Sequence, residues 1–99
     1  MSDHSLHTIH RFRVPADDVA PLRDGVEALL AHWRTNPGWL DGGLTRNLDE
    51  PDLWLLWARW ADVGAYRRIG LGGPAKTMWL PVMKWVIDEP SAYLAPEAL

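Results

Sequence analysis

The sequence predicts an α+β fold, an antiparallel sheet in β-α-β-β-α-β order with helices on one of its faces and the second helix broken in two. Three observations carry this. The run Leu53 to Trp60, LWLLWARW, is nearly all apolar, aromatic-rich and free of Gly and Pro, which reads as a central strand. The first strand signal, Ser5 to Val14, alternates apolar and polar residues and is followed by apolar residues at helical spacing. After Trp60 the chain returns to helix signals interrupted by Gly72-Gly73-Pro74 and Pro81.

In the central strand, alternation sends Leu53, Leu55, Trp57 and Arg59 to one face and Trp54, Leu56, Ala58 and Trp60 to the other, so both faces are apolar until Arg59. Helices in a 99-residue chain can cover one face, and too little sequence remains to cover the other. A second copy of the sheet is the expected cover, hence a homodimer with Arg59 near the rim.

Taken in order, Leu6, Thr8, His10, Phe12 and Val14 share one face of the first strand and His7, Ile9, Arg11 and Arg13 the other, with Pro15 ending it. Asp17 and Asp18 are the cap candidates of the first helix, and Asp18 as cap puts Pro21 in its first turn. Val19, Leu22, Val26, Leu29, Leu30 and Trp33 form its buried stripe, and Asn36-Pro37-Gly38 ends it. Trp39 to Leu48 is a second strand whose adjacent Gly42 and Gly43 suggest a bulge or a close approach of backbone or ligand. Asn47 to Asp52 is a hairpin loop. Asp62 to Gly70 forms a short helix, Leu71 to Pro74 breaks it, and a further helix from Pro74 presents Trp79, Val82, Met83 and Val86 on one face, bent at Pro81. Ser91 to Leu94 gives a short last strand. This is the ferredoxin-like arrangement, in a single domain spanning residues 1–99.

The absence of Cys removes disulfides, thiol nucleophiles and thiolate metal sites. No signal-peptide core and no apolar run of membrane-spanning length occurs, so a cytoplasmic protein without a membrane partner is expected. A net charge of −3 with scattered basic residues argues against nucleic acid. Seven Trp beside one Phe exceed what core filling needs, which suggests a cavity or interface lined by indoles.

The segment Asn36-Pro37-Gly38-Trp39, followed about twenty residues later by a strand ending in Trp60 and then Asp62 and Tyr66, resembles the antibiotic biosynthesis monooxygenase family of dimeric α/β barrels. The resemblance covers almost the whole chain and implies a homodimer with one ligand pocket per subunit between the sheet and the broken helix. In quinol-oxidising members, residues matching Trp60 and Tyr66 hold a polycyclic aromatic substrate and hydrogen-bond its oxygens. His10, facing the pocket from the first strand, is the candidate base and Tyr66 its catalytic partner, while Trp60, Trp79, Phe12 and Trp54 form the expected substrate-binding set. The alternatives are that Trp60 only seals the helix against the sheet and that His10 is a core histidine satisfied by a carbonyl.

The implied function is cofactor-independent monooxygenation of a polycyclic aromatic, polyketide-type phenol to a quinone; a non-oxidative cyclase or rearrangement enzyme, or a non-catalytic binding protein, would use the same pocket. Two departures bear on this. Haem-degrading relatives carry an axial His where this chain has Gly70, and the polar partners of the quinol monooxygenases fall at Leu56 and Leu80. Haem degradation is therefore disfavoured. No flavin, nicotinamide or metal fingerprint is present, so no cofactor or metal is expected: Gly70-Leu71-Gly72-Gly73 lacks a phosphate-loop ending and reads as a break or lid hinge, and His4, His7 and His10 cannot share one strand face. With the initiator Met removed, Ser2-Asp3-His4 would suit only adventitious Cu(II) or Ni(II).

Overall fold

The structure is a computed structural model that describes residues 5–98; His4 and the Ser2-Asp3-His4 terminus lie outside the described residues. Four antiparallel strands, β1 (Leu6–Arg13), β2 (Trp39–Arg46), β3 (Leu53–Trp60) and β4 (Ala92–Leu94), form one sheet in the order β2-β3-β1-β4. Because β3 inserts between β1 and β2, the crossover helix α1 (Val19–Trp33) must pass over it. The expected ferredoxin-like topology is therefore present.

The apolar face of β3 points at the helices: Leu56, Ala58 and Trp60 are buried there, with Leu6, Thr8 and Phe12 beside them on β1. Leu22, Val26, Leu29, Leu30 and Trp33 of α1 close over them, the stripe its helical spacing predicts. Asp18 stands at the N-cap position without capping α1; its carboxylate instead accepts a hydrogen bond from the Trp85 indole, Nε1 to Oδ2 3.0 Å. The turn after α1 is held by Asn36, whose Oδ1 accepts from Gly38 N at 2.7 Å.

The irregularity in β2 falls between Trp39 and Asp41, ahead of the two glycines. Gly42 serves close approach of the neighbouring strand: a Cβ there would lie 2.6 Å from the Trp57 carbonyl oxygen. What approaches is thus backbone.

After β3, Asp62 caps α2 (Val63–Ala65), its Oδ1 accepting from Ala65 N at 2.8 Å, and the coil widens at once into a π-helix over Tyr66–Leu71. Gly73, at φ 57, turns the chain into α3 (Pro74–Met78), which tightens into a 3-10 helix over Leu80–Trp85. That tightening corrects the expected face. A period of 3.6 groups Trp79, Val82, Met83 and Val86, whereas at three residues per turn Trp79, Val82 and Trp85 point inward and Leu80, Met83 and Val86 form a separate row. Met83 is accordingly 48% exposed. Pro81, which has no N–H to donate, sits at the start of the tightened segment.

The chain from Val86 returns along β1 before β4 proper. Val86 bridges Phe12, Ile87 N donates to the Arg11 carbonyl at 2.8 Å, and Ile9 N donates to the Ser91 carbonyl at 2.7 Å. Glu89, in the stretch between, takes a two-pronged ion pair from Arg11 at 2.6 and 2.7 Å. Arg13 similarly pairs with Glu50 and Asp52. Both arginines are ion-paired on the sheet face away from the helices.

Candidate active site

His10 sits at the middle of β1, opposite Leu56, on the face that the broken helix covers. Its ring packs against Trp79 with centroids 4.8 Å apart, and Nε2 meets the Tyr66 hydroxyl at 3.5 Å, a long contact whose direction depends on the imidazole tautomer. Nδ1 is buried without a hydrogen-bond partner. Burial lowers the pKa of His10 from 6.5 to about 4, so the imidazole is neutral throughout the physiological range and available as an acceptor, though a weaker base than an exposed histidine. Burial also raises the pKa of the Tyr66 hydroxyl, opposed by a hydrogen bond with the Ser91 side chain. At neutral pH the pair is a neutral phenol facing a neutral imidazole.

His10 opens on a cavity of about 340 Å³ lined by Leu71, Lys76, Trp79, Leu80, Met83 and Val86. The wall is apolar apart from His10 itself and the Lys76 ammonium on an exposed residue at the lip. The row Leu80, Met83, Val86 supplies one side, Trp79 the floor beside His10, and Leu71 the partition towards Tyr66. The Trp79 indole is fixed by donating Nε1–H to the Gly70 carbonyl at 2.8 Å, an oxygen near the end of the π-helix.

Behind this wall stands an aromatic chain. Trp60 is fully buried, donates Nε1–H to the Thr8 hydroxyl at 3.3 Å, and stands 5.6 Å from the Tyr66 ring and 5.2 Å from Trp33, which in turn approaches Trp79 at 5.9 Å. Gly70 makes this packing possible, because a Cβ there would fall 2.5 Å from Tyr66 Cδ1 and 3.1 Å from Trp60 Cζ2. The position that carries an axial His in the haem-degrading relatives therefore has no room for a side chain while Tyr66 keeps its place.

The structure brings together His10, Tyr66 and Trp79, and places Trp60 one layer behind them. Phe12 is wholly buried in the core, and Trp54, opposite it on β3, faces a different groove with Leu30, Arg34, Leu44 and Arg46. Neither lines the His10 cavity. Sequence reading missed Leu71, Lys76, Leu80 and Met83 as lining residues; the signal was present in Pro81, whose effect is a change of helical period as well as a bend. Leu56 is buried in the core, and Leu80 is an exposed side chain at the cavity lip. His7 points to the opposite face from His10, and among the described residues no group of three or more His, Asp or Glu is placed to hold a metal ion. Among the same residues no helix is long and apolar enough to cross a membrane.

The site is thus an apolar cavity with His10 in its wall, between a ferredoxin-like sheet and its broken second helix. The model of the antibiotic biosynthesis monooxygenase family matches residues 5–68, well over half of the chain, and the protein belongs to that family. Among solved structures it is similar to SnoaB, a cofactor-independent oxygenase from Streptomyces nogalater, with TM-score 0.79 and 20% identity over 97% of each chain. It is likewise similar to a conserved protein from Methanosarcina mazei Go1, TM-score 0.79 and 14% identity over 94% of this chain and 92% of that one. A protein from Shewanella oneidensis gives 0.78 and 14% over 95% and 93%. Among curated proteins the sequence finds no match.

Proposed function

We propose that this protein is a cofactor-independent monooxygenase that converts a polycyclic aromatic phenol to a quinone. The observation that carries the reading is the buried, neutral His10 at the floor of an apolar cavity beside the Trp79 ring. An electron-rich phenol laid against Trp79 can present its hydroxyl to the imidazole, and the protein's work is then to orient it, exclude water and take its proton. The phenolate passes one electron to O2, the two radicals join at the ring carbon para to the oxygen, and the new peroxide loses water to leave the second carbonyl. One O2 enters and one water leaves, so no further oxidant or reductant is required.

The lowered basicity of His10 adds a condition. Transfer from an ordinary phenol of pKa ~10 to an imidazole whose conjugate acid has a pKa of about 4 is uphill by about 8 kcal/mol before any compensation. Attraction between phenolate and imidazolium in an apolar cavity recovers part of this, and Lys76 at the lip adds a second positive charge. The fitting substrate is thus a phenol or anthrone more acidic than phenol itself.

Oxygen uptake with an anthrone or a 1-naphthol unsubstituted at C4 as probe tests the reading. Consumption of one O2 per quinone formed, unaffected by chelator and reduced 10²–10⁴-fold in His10→Ala, is expected. Conversion without O2 consumption would shift the assignment to a cyclase or rearrangement enzyme, and binding without conversion to an accessory protein.

The open sheet face supports a homodimer. Ile9, Leu55 and Trp57 form an apolar strip across β1 and β3, flanked at one end by the Arg11–Glu89 and Arg13–Glu50–Asp52 pairs and at the other by Arg59, beside Asp41 and His7. An apolar centre with a charged rim is the anatomy of a protein interface.

A further inference from the structure

The His10 cavity is one of two that share a wall. On the other side of the π-helix lies a space of about 620 Å³ lined by Leu6, Val63, Tyr66, Arg67, Ser91 and Tyr93 among others. Leu71 lines both. Leu71 is 41% exposed, ends the π-helix and is followed by Gly72 and by Gly73 at φ 57, so the partition is a single leucine at a helix end. Tyr66 and His10, each lining one of the two spaces, meet at 3.5 Å across the same divide.

The two spaces differ in charge. The second contains no acidic side chain and one cation, Arg67, which makes no side-chain hydrogen bond or ion pair with any described residue. The hydroxyls of Ser91 and Tyr66 stand on the same lining, hydrogen-bonded to each other, and that of Tyr93 donates to the Pro90 carbonyl at 3.1 Å. The first space, at about 340 Å³, lies at the small end of the ~300–1,000 Å³ of ordinary ligand sites, and the two together approach the upper end.

We infer that the two cavities form one trough for an elongated substrate, with its phenol ring against His10 and Trp79 and a carboxylate at its far end held by Arg67. Leu71 is the specificity-determining residue between them: the ring system crosses the divide where Leu71 now stands. Arg67 gives the carboxylate a charge-assisted, two-pronged partner, which the neutral imidazole does not. This inference rests on the monooxygenase reading for the placement of the phenol, and its test is separable from that reading.

Calorimetric titration with 1-naphthol and with 5-hydroxy-2-naphthoate, which carries its carboxylate on the other ring from its hydroxyl and keeps a hydrogen on the carbon para to that hydroxyl, provides the test. The carboxylate should bind at least tenfold more tightly, and Arg67→Gln should bring the ratio of the two affinities to near one. Leu71→Trp, which thickens the partition, should lower the ratio in the same way. Equal affinities in the unaltered protein, a preference that survives Arg67→Gln, or a preference lost in Lys76→Gln instead would overturn the inference. Oxygen consumption measured on the same probes keeps the two readings apart: turnover without carboxylate preference removes the trough and leaves the oxygenase, and preference without turnover does the reverse.

Discussion

The electrostatic state of His10 makes a measurable claim on stability. Its pKa is about 4 in the fold against 6.5 for a free histidine, so between those values the unfolded chain binds a proton that the folded chain refuses. The stabilising contribution is fully present above pH 6.5, declines as pH falls, and is gone by about pH 4. It amounts to about 3 kcal/mol across that window. Urea denaturation at pH 7 and at pH 4.5 should show the unaltered protein losing more stability than His10→Gln does, since Glu89, held below the usual carboxylate range by Arg11, contributes to both. Equal losses would mean that His10 is charged, or exposed, in the folded protein. The face on which His10 lies was legible from strand alternation, as was the burial of Trp60. That Tyr66 would reach His10 was not, because the two are brought together only by the return of the chain through β3 and the π-helix. Trp54 and Phe12 share the correct face, but alternation does not say which part of a face the helices seal and which they leave open.

At the scale of the element, the broken second helix determines the site, and its irregular coils are what sequence periodicity resolved least. The break at Gly72-Gly73-Pro74 and the helix start at Asp62 were both readable. The widening at Tyr66 was not, and it has a packing correlate in Gly70, where the helix runs against two aromatic rings. Gly70→Ala tests that packing. The added methyl must push Tyr66 or Trp60 aside, which as overpacking costs about 1–3 kcal/mol and outweighs the helix propensity gained. Because Tyr66 is the neighbour forced to move, the variant should also lose the His10 contact, seen as a shifted His10 imidazole NMR titration. A Gly70→Ala protein as stable as its parent, with the imidazole signal unmoved, would show that the aromatic layer is loose there.

For the whole molecule, the remaining question is the sheet face that no helix covers. Its two strips were already apparent in the alternation of LWLLWARW, and the structure places Leu55 and Trp57 beside Ile9, which is 37% exposed. Gly43 pairs with Trp57 across the strands, and a Cβ at that position would make only ordinary contact with the indole, 3.8 Å from its Nε1. An apolar strip closed at both ends by charged residues fits a second copy of itself, because a two-fold axis through Trp57 would set apolar centre on apolar centre and bring charged rims together. Trp57→Glu places a carboxylate at that axis twice, once from each subunit, so repulsion and desolvation act together against association. The side chain is only half-buried in the single chain, and the substitution should leave the fold of the subunit intact. Sedimentation should therefore give a dimer at micromolar concentration for the unaltered protein and a folded monomer for Trp57→Glu, with far-ultraviolet circular dichroism unchanged. A monomeric parent, or a Trp57→Glu dimer, would mean that the strip is covered by something other than a second copy of this chain.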